Sequence, residues 1–122
     1  MVGSRPDLGF AVGFIRRFIS KPSREHWEAV KWVLKYLKGA SKVNQTFRKH
    51  TRFIIEGYSD SDYSTDRDMR RSVTGYIFKV GGNTVSWKSC LQSVVALSTT
   101  KGEYMAIHEA AKEGLWLKGL CA

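Results

Sequence analysis

The sequence predicts an α+β fold in which two helices come first, a small sheet follows and one long helix comes last. Three observations support it: apolar residues recur at helical spacing up to residue 39, β-rich runs follow up to residue 97, and helical spacing returns after residue 100. The chain has 122 residues, of which 43% are hydrophobic, so a folded core is expected and global disorder is not.

The first part of the chain predicts two amphipathic helices. Residues 7–19 place apolar side chains at helical spacing, and Asp7, after a proline, is the expected N-cap. A short Ser- and Pro-containing break then offers Ser23 as the next N-cap. Residues 24–38 continue with a second helical pattern, which Gly39 ends. The apolar stripe expected on this second helix is Trp27, Val30, Leu34 and Leu37.

The middle of the chain changes to strand patterns. Residues 53–60 form an apolar run that ends in polar residues, as a buried strand does. Residues 74–80 and 84–89 are β-rich and flank Gly81-Gly82-Asn83, which predicts a hairpin. Two shorter strand-like runs are residues 46–48, as an edge strand, and residues 93–97.

The last predicted element is a long helix. Thr100 and Glu103 have the spacing of a capping box, with Thr100 as the N-cap. Apolar residues then repeat at helical spacing to the vicinity of Leu120, at Tyr104, Ile107, Ala111 and Leu115.

The positive charge is concentrated in the first half of the chain. Residues 1–55 hold 12 Lys or Arg against 3 Asp or Glu, whereas residues 56–122 hold 8 of each kind. A one-sided basic segment indicates a polyanionic partner, usually nucleic acid, and a solvated helix face explains it equally well. The candidate nucleic-acid-binding residues are Arg16, Arg17, Lys31, Lys35 and Lys38.

Several classes of protein do not fit this sequence. No stretch approaches 18 consecutive apolar residues, so a membrane span is not expected, and no secretion signal is recognisable. Cys90 and Cys121 do not form a disulfide framework. We expect an intracellular protein, cytoplasmic or nuclear.

Two carboxylates stand out by their positions. Asp60 ends an apolar strand, and Glu103 lies in the first turn of the following long helix. Acidic side chains from a strand and a neighbouring helix can converge to hold Mg²⁺, which prefers oxygen ligands. The alternative is structural: Glu103 serves the capping box, and Asp60, with Asp62, Asp66 and Asp68, is an ordinary loop acid.

At these residues the sequence resembles a known family. It is similar to the polyproteins of copia-type retrotransposons, over the end of the reverse transcriptase region and the first half of the ribonuclease H-like domain. The similar segments, in chain order, are Arg5-Pro6-Asp7, residues 26–31, 36–39, 57–62, 66–76 and 85–89, Gln92, and residues 95–100 and 103–106.

The resemblance implies a fold, an activity and a division of the chain. Residues 1–42 correspond to the reverse transcriptase tail and connection helices, and residues 43–122 to a truncated ribonuclease H-like domain with a partial mixed sheet. The family's activity is Mg²⁺-dependent hydrolysis of the RNA strand of an RNA–DNA hybrid. Asp60 and Glu103 take the places of its first two catalytic and metal-binding carboxylates. The expected partner is nucleic acid, with no small-molecule cofactor besides the metal ion.

The sequence also departs from the family pattern. Lys101 stands where the family has an acid, Gly102 replaces a usual alanine, and Tyr63 replaces a usual tryptophan. The family's third carboxylate lies on a strand beyond the helix that ends near Leu120. We therefore expect weak Mg²⁺ binding and little or no activity in the 122-residue chain. The alternatives are a non-catalytic nucleic-acid-binding or interaction module that uses the basic helices, and an unused reading frame left by a decayed element.

Overall fold

The order of elements in the computed structural model confirms the predicted α+β class. The structure describes residues 3–64, 66 and 69–121, and the chain divides into an N-terminal unit, Met1–Gln45, and a C-terminal unit, Thr46–Ala122. A 3₁₀ turn, Pro6–Leu8, leads into the main elements. These are helices α1 (Gly9–Arg16) and α2 (Arg24–Gly39), strands β1 (Ile55–Asp62), β2 (Val73–Val80) and β3 (Asn83–Leu91), and helix α3 (Thr99–Cys121).

Helix α2 packs with only part of the predicted apolar stripe. Trp27 and Leu34, two members of the expected stripe, are 60% and 53% exposed. Val30 and Leu37, the other two members, are half-buried, and the ring of His26 stacks on Phe18 with centroids 4.0 Å apart. The sequence pattern was ambiguous because apolar residues occupy both faces. The half-buried face comprises His26, Ala29, Val30, Val33 and Leu37.

The start of the N-terminal unit is organised by Asp7, which is not a helix cap. The Arg5 guanidinium donates to the Asp7 carboxylate at 2.8 and 3.1 Å, and the Tyr36 hydroxyl donates to it at 2.6 Å. Arg5 also reaches the Ala40 carbonyl at 3.4 Å. The hydrogen bonds from Arg5 and Tyr36 lower the pKa of Asp7, while the bond to Asp7 raises the pKa of Tyr36. Asp7 therefore links the first turn of the chain to the C-terminal end of α2.

Ser23 is the N-cap of α2, as predicted, and its partner is a histidine. Its backbone N–H donates to Nδ1 of His26 at 2.9 Å, so an imidazole takes the place that Glu or Gln usually has in a capping box. His26 thus both packs on Phe18, just after α1, and closes the first turn of α2.

The sheet of the C-terminal unit is a three-stranded antiparallel meander in the order β1-β2-β3. The register runs from Ile55↔Val80 to Asp62↔Val73 in the first pair and from Val73↔Leu91 to Val80↔Asn83 in the second. Gly81 and Gly82 form the hairpin turn with φ of 57° and 78°. Positive φ at both central residues is the geometry of a type I′ turn, which explains why glycine occupies both positions.

Helix α3 packs against one face of this sheet. Phe78 of β2 is buried with Ala110 and Leu117 of α3, and these three form the core cluster. A Cβ atom added to Gly114 would lie 3.2 Å from the Phe78 ring, and Gly57 of β1 has no room for one at all. Two glycines therefore permit the close approach of strand, ring and helix.

A buried polar cluster holds the end of the sheet that is farther from the hairpin turn. Nε2 of Gln92 donates to Oγ1 of Thr74 at 3.0 Å and to the carbonyl of Gly102 at 2.9 Å. The Gln92 backbone N–H donates to the Ser72 carbonyl at 2.8 Å. Ser72 and Thr74 are fully buried, and Oε1 of Gln92 is buried without a hydrogen-bond partner in the described part of the chain. Gln92 thus joins β2 to the first turn of α3.

Three predictions about local structure are wrong. Residues 46–48 are not a strand, because the backbone N–H and carbonyl of Arg48 are hydrogen-bonded to the side chain of Asn83 and not to a neighbouring strand. Residues 93–97 are irregular because they turn the chain from β3 into α3. Thr100 is not the N-cap of α3: the helix begins one residue earlier, and Oγ of Ser98 accepts the Lys101 N–H at 3.2 Å.

The polar loop before β2 carries several of the candidate loop acids. Asp66 lies 4.0 Å from the Arg71 guanidinium, whereas Asp68 lies outside the described residues.

No helix in the described ranges is long and apolar enough to cross a membrane.

Replacing Gln92 with leucine tests the polar cluster. Gln92→Leu leaves the Thr74 hydroxyl and the Gly102 carbonyl without their buried donor, so we expect a loss of about 2–3 kcal/mol of unfolding free energy. Urea unfolding followed at amides of the C-terminal unit measures it. Ser93→Ala, at the exposed neighbouring position, is the control and should stay within about 0.5 kcal/mol. Adding Thr74→Val to Gln92→Leu removes the unpaired hydroxyl and should recover part of the lost unfolding free energy. A double variant as unstable as Gln92→Leu alone would contradict this account.

Asp7 gives the N-terminal unit a defined pH dependence. Its pKa is lower in the folded state, so its stabilisation is present above the unfolded value of about 3.9 and is lost as pH falls. The raised pKa of Tyr36 acts in the opposite direction, and its contribution is lost as pH rises beyond about 10.

Asp7→Asn is the corresponding variant. Amide exchange of the N-terminal unit should be faster in Asp7→Asn than in the unsubstituted chain at pH 6, and the difference should narrow as pH falls toward 3. Glu25→Gln, an exposed acid in the first turn of α2, is the control. A difference that stays constant over this pH range would show that the Asp7 carboxylate charge is not responsible.

Candidate functional site

Asp60 lies within β1, two residues before the strand ends. The prediction placed it at the end of the strand, but β1 continues to Asp62. Asp60 pairs with Gly75 of β2, and its side chain is exposed. Oδ1 of Asp60 accepts the backbone N–H of Ser61 at 2.8 Å, so the carboxylate covers one backbone donor of β1.

Glu103 lies near the start of α3 and is also exposed. The preceding residue, Gly102, is buried against the sheet. A Cβ atom on Gly102 would lie 3.0 Å from Oγ of Ser61 and 3.6 Å from Oγ of Ser72. The glycine therefore lets the first turns of α3 approach β1 at Ser61. Each candidate carboxylate is one residue away from this contact.

The two acids leave their elements in different directions. Side chains alternate along a strand, and Ser61 faces α3, so Asp60 leaves β1 on the opposite face. Among the described strands, β1 pairs only with β2, which leaves its other edge open. To hold one ion together, Asp60 and Glu103 would have to meet around this open edge. That the two carboxylates meet there remains a prediction.

The donor set near this edge is small. In the described residues, no three His, Cys, Asp or Glu side chains lie together as a metal-binding group. Mg²⁺ is commonly bound by one or two carboxylates and keeps several of its waters. Asp60 and Glu103 therefore fit one hydrated Mg²⁺ ion better than a tightly held pair of ions.

The residue that sequence reasoning missed is Gln92. The resemblance included it without a role, and a polar residue at the end of a strand gives no signal of burial. In the structure its amide binds the carbonyl of Gly102, which is the residue before Glu103. Gln92 therefore positions the helix turn that carries the second candidate acid. The signal that could have found it is the group of serines and threonines on the neighbouring strand, because hydroxyl groups that become buried need a polar partner such as glutamine.

The candidate basic residues all belong to the N-terminal unit and most are exposed. Arg16, Lys31, Lys35 and Lys38 face solvent, whereas Arg17 is half-buried with its guanidinium 5.4 Å from the Phe14 ring centroid. Nζ of Lys31 is 2.6 Å from the Glu28 carboxylate, and Nζ of Lys35 lies 4.9 Å from the Trp32 ring centroid. Lys38 and Arg16 are therefore the most accessible charges.

Comparison with known proteins finds several relatives over almost the whole chain. A retrovirus-related Pol polyprotein from transposon TNT 1-94 of Nicotiana tabacum is 49% identical over 118 residues, which are 97% of this chain and 9% of that protein. The Pol polyprotein from transposon RE2 of Arabidopsis thaliana is 34% identical over 117 residues, or 8% of its length. The chain thus spans less than a tenth of these polyproteins.

The same segment also occurs in a shorter protein. The secreted RxLR effector protein 161 of Plasmopara viticola is 46% identical over 117 residues, which are 96% of this chain and 82% of that protein. No family model and no solved structure matches the chain.

Proposed function

The chain belongs to the family of Pol polyproteins from copia-type retrotransposons. We propose that it is the end of the reverse transcriptase region and the first half of the ribonuclease H-like domain of such a polyprotein. The substrate class is the RNA–DNA hybrid, and the reaction is hydrolysis of the RNA strand with Mg²⁺. Asp60 and Glu103 are the proposed metal-binding carboxylates, and the place of action is the cytoplasm or the nucleus.

The observation that supports this proposal is the contact between Ser61 and Gly102. It brings the acid-bearing part of β1 and the acid-bearing turn of α3 to the same end of the sheet. Gln92 fixes that turn, and Asp60 and Glu103 reach solvent on either side of the contact. Both side chains are accessible to a metal ion and to a phosphodiester.

Each residue then has a defined task. Asp60 and Glu103 supply carboxylate oxygens, and Lys101, exposed two residues before Glu103, supplies positive charge toward the backbone of the bound strand. A bound Mg²⁺ ion would activate water and stabilise the leaving oxygen. With two carboxylates, binding of the ion is weak, so little or no cleavage is expected from the 122 residues alone.

A second candidate function is nucleic-acid binding without cleavage, through the basic helices. The observation that favours it is the exposure of Arg16, Lys35 and Lys38 in the N-terminal unit. Lysine and arginine side chains neutralise phosphates without reading bases, so this binding is nearly independent of sequence. It requires neither carboxylate, which separates it from the enzyme proposal.

Metal titration tests the carboxylate pair. Mn²⁺, a paramagnetic substitute for Mg²⁺, should broaden amide signals of residues 59–62 and 102–104 at millimolar concentration. Asp60→Asn and Glu103→Gln should each weaken this broadening at least about tenfold, because each removes one of only two charged ligands. Glu56→Gln, an exposed acid on the same strand, is the control. Broadening that both ligand variants leave unchanged would refute the pair.

A cleavage assay accompanies the titration. With an RNA–DNA hybrid and Mg²⁺, the 122-residue chain should show slow cleavage at most, and Asp60→Asn should remove whatever is present. Rapid turnover that survives Asp60→Asn would contradict the assigned role of Asp60.

A salt titration tests the basic helices. Changing Lys31, Lys35 and Lys38 to Gln should weaken duplex binding and flatten the dependence of log affinity on log salt by about 0.9 per lost phosphate contact. The matched control changes Lys88, Lys112 and Lys118, three exposed lysines of the C-terminal unit. The match extends to ion pairing, because Lys112 pairs with Glu109 as Lys31 pairs with Glu28. Equal effects of the two triple variants would show that the basic helices are an ordinary solvated surface and not a nucleic-acid-binding one.

A further inference from the structure

We propose that the C-terminal unit carries a phosphate-binding pocket at its β2–β3 hairpin, and that its ligand is the backbone of a nucleic-acid strand. The pocket is formed by residues of the C-terminal unit, and neither Asp60 nor Glu103 is among them. Its volume is about 370 Å³, within the range of roughly 300–1,000 Å³ typical of ligand sites. Its lining residues are Thr46, Arg48, His50, Gly81, Gly82 and Asn83.

The pocket is built by a specific clamp. Oδ1 of Asn83 accepts the backbone N–H of Arg48 at 2.8 Å, and Nδ2 of Asn83 donates to the Arg48 carbonyl at 2.8 Å. The side-chain amide thus imitates the paired hydrogen bonds of a neighbouring strand. It holds the irregular segment before β1 against the hairpin. The backbone of Arg48, and with it the base of the Arg48 side chain, is thereby fixed beside the turn.

The glycine turn forms the floor of the pocket. The Gly81 N–H donates to the Ile54 carbonyl at 3.0 Å, which ties the turn to the entry of β1. A Cβ atom on Gly81 would lie 3.2 Å from Cβ of His50, and one on Gly82 would lie 3.8 Å from Nε2 of His50. The absence of side chains at the turn therefore leaves the His50 imidazole at the cavity wall with space in front of it.

The charge of the segment identifies the ligand as an anion. Residues 46–55 contain three Lys or Arg and no Asp or Glu. Arg48, Lys49 and Arg52 are exposed, and none of them pairs with a carboxylate within the described ranges. Arginine donates to phosphate through a planar, two-pronged group, and the imidazole of His50 adds a donor beside it. Such a set in a concave site selects phosphate.

The position of the pocket favours a polymer over a free ion. Ile55, at the hairpin end of β1, lies five residues from Asp60, which corresponds to roughly 17 Å along a strand. Phosphates of one strand of a duplex are spaced about 3.4 Å along the helix axis. A nucleic-acid chain of about five nucleotides therefore spans the distance from the hairpin end of β1 to Asp60. This last step assumes the proposed function, whereas phosphate binding at the hairpin does not.

The test is binding of a short RNA–DNA hybrid to the 122-residue chain in EDTA, so that cleavage and metal binding play no part. The double variant Arg48→Gln and His50→Gln should weaken binding about tenfold and flatten the salt dependence by one to two phosphate contacts. Lys118→Gln, which removes one charge from an exposed position of α3, is the control. Asn83→Ala keeps every charge and releases the clamp, so it should weaken binding about threefold or more with an unchanged amide spectrum of α3.

Two NMR titrations distinguish the source of the phosphate. The hybrid should shift the amides of Gly82 and Asn83 at micromolar concentration, and inorganic phosphate should shift the same amides only in the millimolar range. Shifts with inorganic phosphate and none with the hybrid would overturn the nucleic-acid assignment. Shifts with neither, or binding by the double variant equal to that of Lys118→Gln, would overturn the pocket. Since the titrations contain no divalent metal ion, failure of the carboxylate proposal leaves their outcome unaffected.

Discussion

The C-terminal unit depends on how closely α3 approaches the sheet at Gly102. At this point the helix has no side chain, Oγ of Ser61 occupies the space, and the Gln92 amide, whose Nε2 lies 3.5 Å from that oxygen, binds the helix backbone. The orientation of the Gln92 amide is determined by its partner, since a carbonyl can only accept a hydrogen bond and Nε2 must therefore face Gly102. The cost is Oε1, which is buried without a partner in the described part of the chain. Such a buried, unpaired oxygen is tolerated where the hydrogen bonds made by the same side chain stabilise the fold by more than its burial costs.

The N-terminal unit depends on polar contacts more than on burial. Helix α2 has no fully buried residue, and Trp27 and Trp32 remain more than half exposed. The hydrogen bonds of Asp7 with Arg5 and Tyr36 are therefore a large part of what connects the beginning of this unit to its end. They also explain why Arg5-Pro6-Asp7 is a recognisable motif: the proline starts a tight turn that directs both charged side chains toward α2.

The sequence predicts elements better than contacts. Gly81 and Gly82 identify the hairpin because the turn requires positive φ, and Ser23 identifies the start of α2 because it is followed by a helical pattern. The sequence did not show which apolar stripe of α2 packs, since Trp27 belongs to an apolar face that stays exposed. The two acids were predicted from their places at the ends of elements, although Asp60 lies two residues before the end of β1. Gln92 was not, because its role depends on contacts between segments that are distant in the chain.

The distribution of charge between the two units changes what the first half of the sequence means. By sequence, the excess of basic residues extends from the start of the chain to residue 55, and the two predicted helices, with six Lys or Arg against three Asp or Glu, account for three of the nine net charges. The boundary between the units falls at residue 45, so Arg48, Lys49 and Arg52 belong with the sheet. There they meet a hairpin turn without side chains and an asparagine that fixes the backbone of Arg48. The basic run that follows the two helices therefore contributes Arg48 to a concave site on the same unit as the two carboxylates.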